Sequence, residues 1–152
     1  MATAKLLTLP NQSSPNRDAW ANGLIEAAAV ARHPVIIVAH GLAVHAVVQA
    51  APKLATVRGA FFIAPIGETA ILTNEMIDRK FAPAPRTPLP FPSVVIASSN
   101  DPYCPILEAE EWAFAWGSAF SNAGDCGHID VASGYGPWPE GIMRFAGFMS
   151  KL

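Results

Sequence analysis

The sequence predicts an α/β fold in which a parallel sheet of about five strands carries helices on both faces. Apolar runs of strand length alternate along the chain with helix-like runs, the pattern expected when helices connect parallel strands. The chain has 152 residues, 51% of them hydrophobic, which is enough to build one domain with a substantial core. We therefore expect a single domain over residues 1–152.

Turn residues separate the predicted elements from one another. The strand candidates are Lys5–Leu9, Val35–Ala39, Gly59–Ile63, Ser93–Ser98 and Ser118–Asn122. The helix candidates are Asp18–Ala31, Leu42–Ala51, Pro105–Gly117, a short helix at Ile71–Ile77, and a terminal helix within Gly136–Leu152. Asp18 is a favourable residue for capping the first of these helices.

A proline-rich segment, Phe81–Pro92, ends the long connection Ala64–Pro92. Prolines at this density exclude a helix or an interior strand. We favour a stiff, extended brace across the surface, and the alternative is a mobile lid over a substrate.

Composition excludes several classes of function. Charged residues make up 14% of the chain and the net charge is −2, with no basic run, so we expect no nucleic-acid partner. Apolar runs such as Val35–Ala39 are too short to span a membrane, and the amino end lacks the features of a signal peptide. The two cysteines, Cys104 and Cys126, fit no disulfide framework or zinc motif. The expectation is a cytoplasmic protein with free thiols, no cofactor and no metal.

Three short segments fall at the carboxyl ends of predicted parallel strands, where open α/β sheets place their sites. They are Ala39–Ala43, Ser99–Cys104 and Gly127–Asp130. The first is a strand-to-helix turn that departs from the G-x-S-x-G pattern of a hydrolase nucleophile elbow at all three fixed positions. Taken alone, it is equally an ordinary tight turn.

The other two segments contain an acid and an imidazole. Asp101 can orient a catalytic imidazole, or it can cap the turn at Pro102. His128 follows the last strand, and a lone histidine is more often structural than catalytic. The order of turn, then Asp, then His is nevertheless the chain order of α/β-hydrolases.

Longer strings around these positions resemble a known family. The strings Ser98–Cys104 (Ser-Ser-Asn-Asp-Pro-Tyr-Cys) and Gly136–Gly141 (Gly-Pro-Trp-Pro-Glu-Gly) closely resemble small bacterial serine hydrolases related to retinoblastoma-binding serine hydrolase. The proline-rich Leu89–Pro92 and the turn around His40 are also similar to that family, in which the turn usually reads Ala-His-Ser-Leu-Gly. The likeness extends over residues 18–141. It implies an α/β-hydrolase-like fold with a flavodoxin-like strand order.

The resemblance also implies residue roles. Asp101 is then the acid of a catalytic triad, His128 is the base, and Gly41 stands at the nucleophile position. The amide of Leu42 is implied as an oxyanion donor, and His40 flanks the turn. Ala43 departs from the family's second glycine, and Asp130 stands where Asn is usual.

Gly41 decides the predicted function because glycine has no hydroxyl, which closes the usual acyl-enzyme route. We predict an esterase-like site that binds a small acyl-type, ester-like ligand or a partner, with weak or no catalysis: a pseudoenzyme. One alternative is an active carboxylic-ester hydrolase that uses water or another nucleophile such as Cys126. A second alternative is a non-catalytic module that dimerises.

The amino end departs from the family as well. The chain starts at what resembles the family's second strand, so the first strand and helix are expected to be missing and one face of the sheet to be half bare. We expect either that Lys5–Leu9 pairs beside Val35–Ala39 or that a second copy of the chain covers the gap as a homodimer.

Overall fold

A parallel four-stranded sheet forms the centre of the molecule in a computed structural model that describes residues 4–152. Its strands are β1 (Val35–His40), β2 (Val57–Ile63), β3 (Ser93–Ala97) and β4 (Ala119–Asn122). They lie side by side in chain order, and every neighbouring pair is parallel. Parallel neighbours require crossover connections, and helices supply them here. The predicted α/β fold is therefore confirmed, with one strand fewer than expected.

Five α-helices surround the sheet: α1 (Arg17–Ala29), α2 (Leu42–Ala50), α3 (Glu68–Thr73), α4 (Ile106–Trp116) and α5 (Pro139–Met149). Short 3₁₀ turns occupy Ala51–Lys53 and Arg79–Phe81. Asn16, not Asp18, caps α1, because the Asn16 side chain accepts the Ala19 amide while Asp18 pairs with Arg17 in the first turn. Within residues 4–152, no helix is long and apolar enough to cross a membrane.

The main core lies on the sheet face that α1, α2 and α4 cover. Trp112 and Trp116 of α4 stack there with ring centroids 5.8 Å apart, and Phe62 of β2 packs edge-on against Trp116. Aromatic pairs of this kind add to the stability that burial of their area provides. This buried layer fixes the carboxyl ends of β1, β2 and β3 relative to one another.

The opposite face is covered by α5 and by residues of the loop before it, including Ile129 and Trp138. Phe145 and Phe148 of α5 pack against Phe61 in the middle of β2. Beyond α5, the outer face of β1 is open, and Val38 is 55% exposed. This agrees with the expected half-bare face and leaves an apolar strip of sheet in contact with solvent.

The prediction for Lys5–Leu9 was wrong, because this segment forms no strand and does not pair beside β1. Leu9 is buried against α1, with Cδ2 3.6 Å from the position that a Cβ at Gly23 would take. The Trp20 indole N–H donates to the Pro10 carbonyl at 2.7 Å. Contacts with α1 therefore hold the segment on the helix side, away from the edge of the sheet.

The long connection after β2 is fixed to α4 near its proline-rich end. The indole N–H of Trp116 donates to the Pro85 carbonyl at 2.7 Å, and the Leu89 amide donates to the Trp116 carbonyl at 2.9 Å. The short helix of this connection is α3, which begins and ends earlier than the predicted Ile71–Ile77. These bonds support the interpretation of the segment as a brace.

Candidate active site

The turn between β1 and α2 is built around Gly41. Its backbone has φ +61° and ψ −127°, a conformation that side-chain-bearing residues adopt only with strain. The Gly41 amide donates to the Ile63 carbonyl at 3.0 Å, and α2 begins at the next residue. The chain therefore makes the sharp strand-to-helix turn of a nucleophile elbow with no side chain at its apex.

Asp101 and His128 form a buried pair next to this turn. Oδ2 of Asp101 lies 2.9 Å from Nδ1 of His128, and their side chains are 2% and 9% exposed. The other carboxylate oxygen of Asp101 accepts the Tyr103 amide at 2.9 Å. Both roles considered for Asp101 are thus present together, since one oxygen fixes the turn and the other faces the imidazole.

The second ring nitrogen of His128 faces Gly41. A Cβ built on Gly41 would lie 3.3 Å from Nε2 of His128. This is the position from which a serine would present its hydroxyl to the base. The three predicted strand ends therefore meet in space, with the imidazole between the carboxylate and the empty apex of the turn.

Polar side chains hold the loop that carries His128. Ser98 Oγ accepts the Cys126 amide at 2.8 Å, Asn100 Oδ1 accepts the Gly127 amide at 2.7 Å, and Ser133 Oγ accepts the His128 amide at 3.0 Å. Sequence reasoning missed these positioning groups. The only available signal was the density of short polar residues after β3, which does not reveal long-range partners.

Asp130 belongs to the same network because its Oδ1 accepts the Ser133 hydroxyl at 2.6 Å and the Ser133 amide at 2.8 Å. These hydrogen bonds hold the pKa of the Asp130 carboxyl below its ordinary value. A negative charge therefore stays at the rim of the site.

His40, at the end of β1, ties the turn to the His128 loop. Its Nε2–H donates to the backbone carbonyl of His128 at 2.8 Å, and the two rings meet edge-to-face with centroids 4.7 Å apart. Burial lowers the pKa of His40 below its ordinary value, which favours the neutral ring. His40 therefore acts here as a structural donor between the two site segments.

A third histidine, His45, holds the segment that packs against the Gly41 turn. His45 of α2 is fully buried, and its Nε2–H donates to the Ile66 carbonyl at 2.7 Å. The end of the Ile66 side chain lies 3.9 Å from the position of a Cβ at Gly41. Burial lowers the pKa of His45 to about 4, so its ring is neutral at physiological pH.

Both thiols are engaged with groups other than His128. Cys104 is buried, and burial with nearby carboxylates raises its pKa to about 12. Sγ of Cys126 donates to the Ala123 carbonyl at 3.2 Å. In residues 4–152, no group of three or more His, Cys, Asp or Glu side chains is arranged to hold a metal ion.

An open groove of about 850 Å³ lies between α3 and the loop after β3. Tyr103 forms part of its wall and also contacts the His128 ring edge-to-face, with centroids 4.9 Å apart. The groove therefore adjoins the site through Tyr103, and neither Asp101 nor His128 lines it.

Comparisons with known proteins agree with this fold. A model of the serine hydrolase family matches residues 1–147. A protein from Pectobacterium atrosepticum described as a YdeN-like hydrolase is 28% identical, with a TM-score of 0.75, over 89% of this chain and 70% of its own.

The ydeN gene product of Bacillus subtilis is 20% identical, with a TM-score of 0.77, over 95% of this chain and 81% of its own. An esterase domain from Rhodothermus marinus is 14% identical, with a TM-score of 0.61, over 82% of this chain and 65% of its own. A comparison with curated proteins found no match. The match of the family model over nearly the whole chain shows that it belongs to the serine hydrolase family.

Proposed function

We propose that this chain binds a small acyl-type ligand beside Asp101 and His128 and hydrolyses esters weakly or not at all. The observation that carries the proposal is the position of Nε2 of His128, which faces the backbone of Gly41 where a hydrolase presents its serine. The acid and the base are arranged as in a catalytic triad, but the third member supplies no atom that can attack a carbonyl.

The chemistry of acyl transfer explains why the missing hydroxyl matters so much. In the ordinary route the base takes the proton of the nucleophile, whose oxygen then bonds to the acyl carbon. Glycine has no such oxygen, so no acyl-enzyme can form at position 41. Binding and the remaining polar groups still accelerate hydrolysis in comparable enzymes that lack one triad member, by roughly 10³-fold over water.

A second candidate function is hydrolysis by a water molecule that His128 activates directly. It is supported by the intact pair, since the 2.9 Å contact with Asp101 orients the ring and leaves Nε2 to accept a proton. This route forms no covalent intermediate and requires the same two residues.

The outer side of β1, which α5 leaves exposed and which we call the uncovered face, favours a non-catalytic role as a further candidate. Val38 on β1 is 55% exposed and lies on the side of the sheet that α5 covers only in part. Association of two copies through this face would cover apolar surface that the single chain leaves in water.

Two assays on the full chain test the proposal. Incubation with a fluorophosphonate probe, followed by intact mass measurement, is expected to show no covalent adduct. Hydrolysis of short p-nitrophenyl esters is expected to be weak and unchanged by His128→Asn. Stoichiometric labelling would overturn the proposal. If the chain hydrolyses the esters without being labelled, and His128→Asn abolishes this hydrolysis, the water-activated route would replace the proposal.

A further inference from the structure

We infer that the ligand of this site is a free carboxylate, bound between the first amides of α2 and Nε2 of His128. The inference rests on the proposed function and names the chemical class of the ligand. Because Gly41 carries no hydroxyl, the amides of α2 and Nε2 of His128 are both left to contact a ligand, and this changes which ligand fits them best.

The first observation is the open amino end of α2. This helix has nine residues, begins at Leu42, and has Gly41 as its N-cap with no side-chain hydrogen bond. The first amides of a helix have no partner within the helix, and the helix dipole favours negative charge there. The amides of Leu42 and Ala43 are therefore donors without a side-chain acceptor in the cap.

The second observation is the free side of His128. Its side chain is 9% exposed, and Nδ1 is occupied by Asp101, whereas Nε2 has no hydrogen-bond partner in the described part of the chain. Nε2 lies 3.3 Å from the position of a Cβ at Gly41, so it is directed at the start of α2. The ring is therefore held in a largely buried position while Nε2 stays available to a ligand that can bond to it.

The two sets of donors distinguish a carboxylate from an ester. In a serine hydrolase the hydroxyl occupies the position beside the base, and the substrate needs one acceptor oxygen for the amides. Here a ligand must place one acceptor at the amides and another beside a protonated Nε2. A carboxylate has two equivalent charged oxygens, whereas the alkoxy oxygen of an ester is a poor acceptor. Hydrogen bonds between charged groups are roughly twice as strong as neutral ones.

The groups that face His128 set the charge that a ligand meets in this site. Asp101 faces Nδ1, Asp130 is a negative charge at the rim, His40 approaches from β1, and Tyr103 contacts the ring from the loop after β3. His40 donates to the His128 carbonyl and adds no positive charge when neutral. A carboxylate bound beside these two negative groups is therefore balanced by a proton that His128 holds at Nε2 in the complex.

The test compares butyrate with methyl butyrate and butyramide, each titrated into the full chain and followed by amide and imidazole NMR signals. Butyrate is expected to shift the Leu42 amide and the His128 ring, and to bind about tenfold more tightly than the two neutral compounds. His128→Asn should remove this preference, whereas His33→Asn, a change at an exposed residue, should not.

Gly41→Ala tests the occupied space, because the added Cβ takes the place beside Nε2 and should weaken butyrate binding about tenfold. Gly117→Ala is the matched control, since Gly117 has a similar φ of +67° and no atom within 4 Å of an added Cβ. If methyl butyrate binds as tightly as butyrate at the same residues, the carboxylate inference fails and the proposed function stands. If the wild-type chain instead hydrolyses methyl butyrate rapidly, the proposed function fails.

Discussion

Restoring a hydroxyl at position 41 is the change that tests the candidate site most fully. Gly41→Ser puts an oxygen beside Nε2 of His128, which already contacts Asp101 at 2.9 Å. If the rest of the site is competent, the variant has a complete triad. We expect it to form a covalent adduct with a fluorophosphonate probe.

The gain in rate can be placed within limits. A correctly positioned general base contributes typically 10²–10⁴-fold, so we expect Gly41→Ser to hydrolyse short p-nitrophenyl esters at least about 10²-fold faster than the wild-type chain. The double variant with His128→Asn should lose both the rate and the labelling, because the serine then has no base.

The same substitution is expected to destabilise the fold. A side chain at φ +61° and ψ −127° costs about 1–3 kcal/mol, and the Cβ contact of 3.3 Å with Nε2 adds crowding. Gly117→Ala, at a positive φ in open space, should cost about 1–2 kcal/mol and leave the site unchanged. A Gly41→Ser protein that folds, as urea denaturation would show, but is neither labelled nor active would refute the reasoning that the remaining site is competent.

Three further predictions concern stability and association. Burial lowers the folded-state pKa of His45 to about 4, so as the pH falls below about 6.5 the unfolded chain binds a proton at this residue before the folded chain does. Urea denaturation should therefore show that the free energy of unfolding falls by about 2 kcal/mol between about pH 7 and about pH 5, and His45→Gln should remove this part of the pH dependence. Trp116→Phe removes the bond to the Pro85 carbonyl and should lower the free energy of unfolding by about 1–3 kcal/mol; no change would contradict the brace. If two copies associate through the uncovered face, light scattering should show a dimer that Val38→Asp converts to a monomer. The control Lys53→Asp, at an exposed residue outside this face, should leave the dimer intact, and a wild-type monomer at all concentrations would exclude this association.

The central strands and the helices that follow them could be predicted because their signals are local. The runs that became β1 and β3 are short, apolar and bounded by turn residues, and Pro105 and Gly117 flank α4 in the structure. Segment Lys5–Leu9 has the same local character but forms no strand. Its position depends on contacts with α1, in particular the bond from Trp20 to Pro10, which no local pattern reveals.

The candidate site also contains residues that the sequence predicted and groups that it did not. Gly41, Asp101 and His128 could be singled out because each follows a predicted strand and because the strings around them resemble a serine hydrolase family. The groups that position them were not predictable, since Asn100 holds the Gly127 amide across 27 residues of sequence, and His45 holds the Ile66 carbonyl from inside the core. Hydrogen bonds between distant segments leave no periodic or compositional trace.

The most direct test of this account is the protonation state of the His128 ring, measured by ¹⁵N NMR at neutral to slightly basic pH. The geometry predicts a proton on Nδ1, hydrogen-bonded to Asp101, and an unprotonated Nε2 facing Gly41. Asp101→Asn should remove this tautomer preference. A proton on Nε2 in the wild-type chain, with Nδ1 bare, would contradict the alignment of acid, base and empty turn from which the proposed function follows.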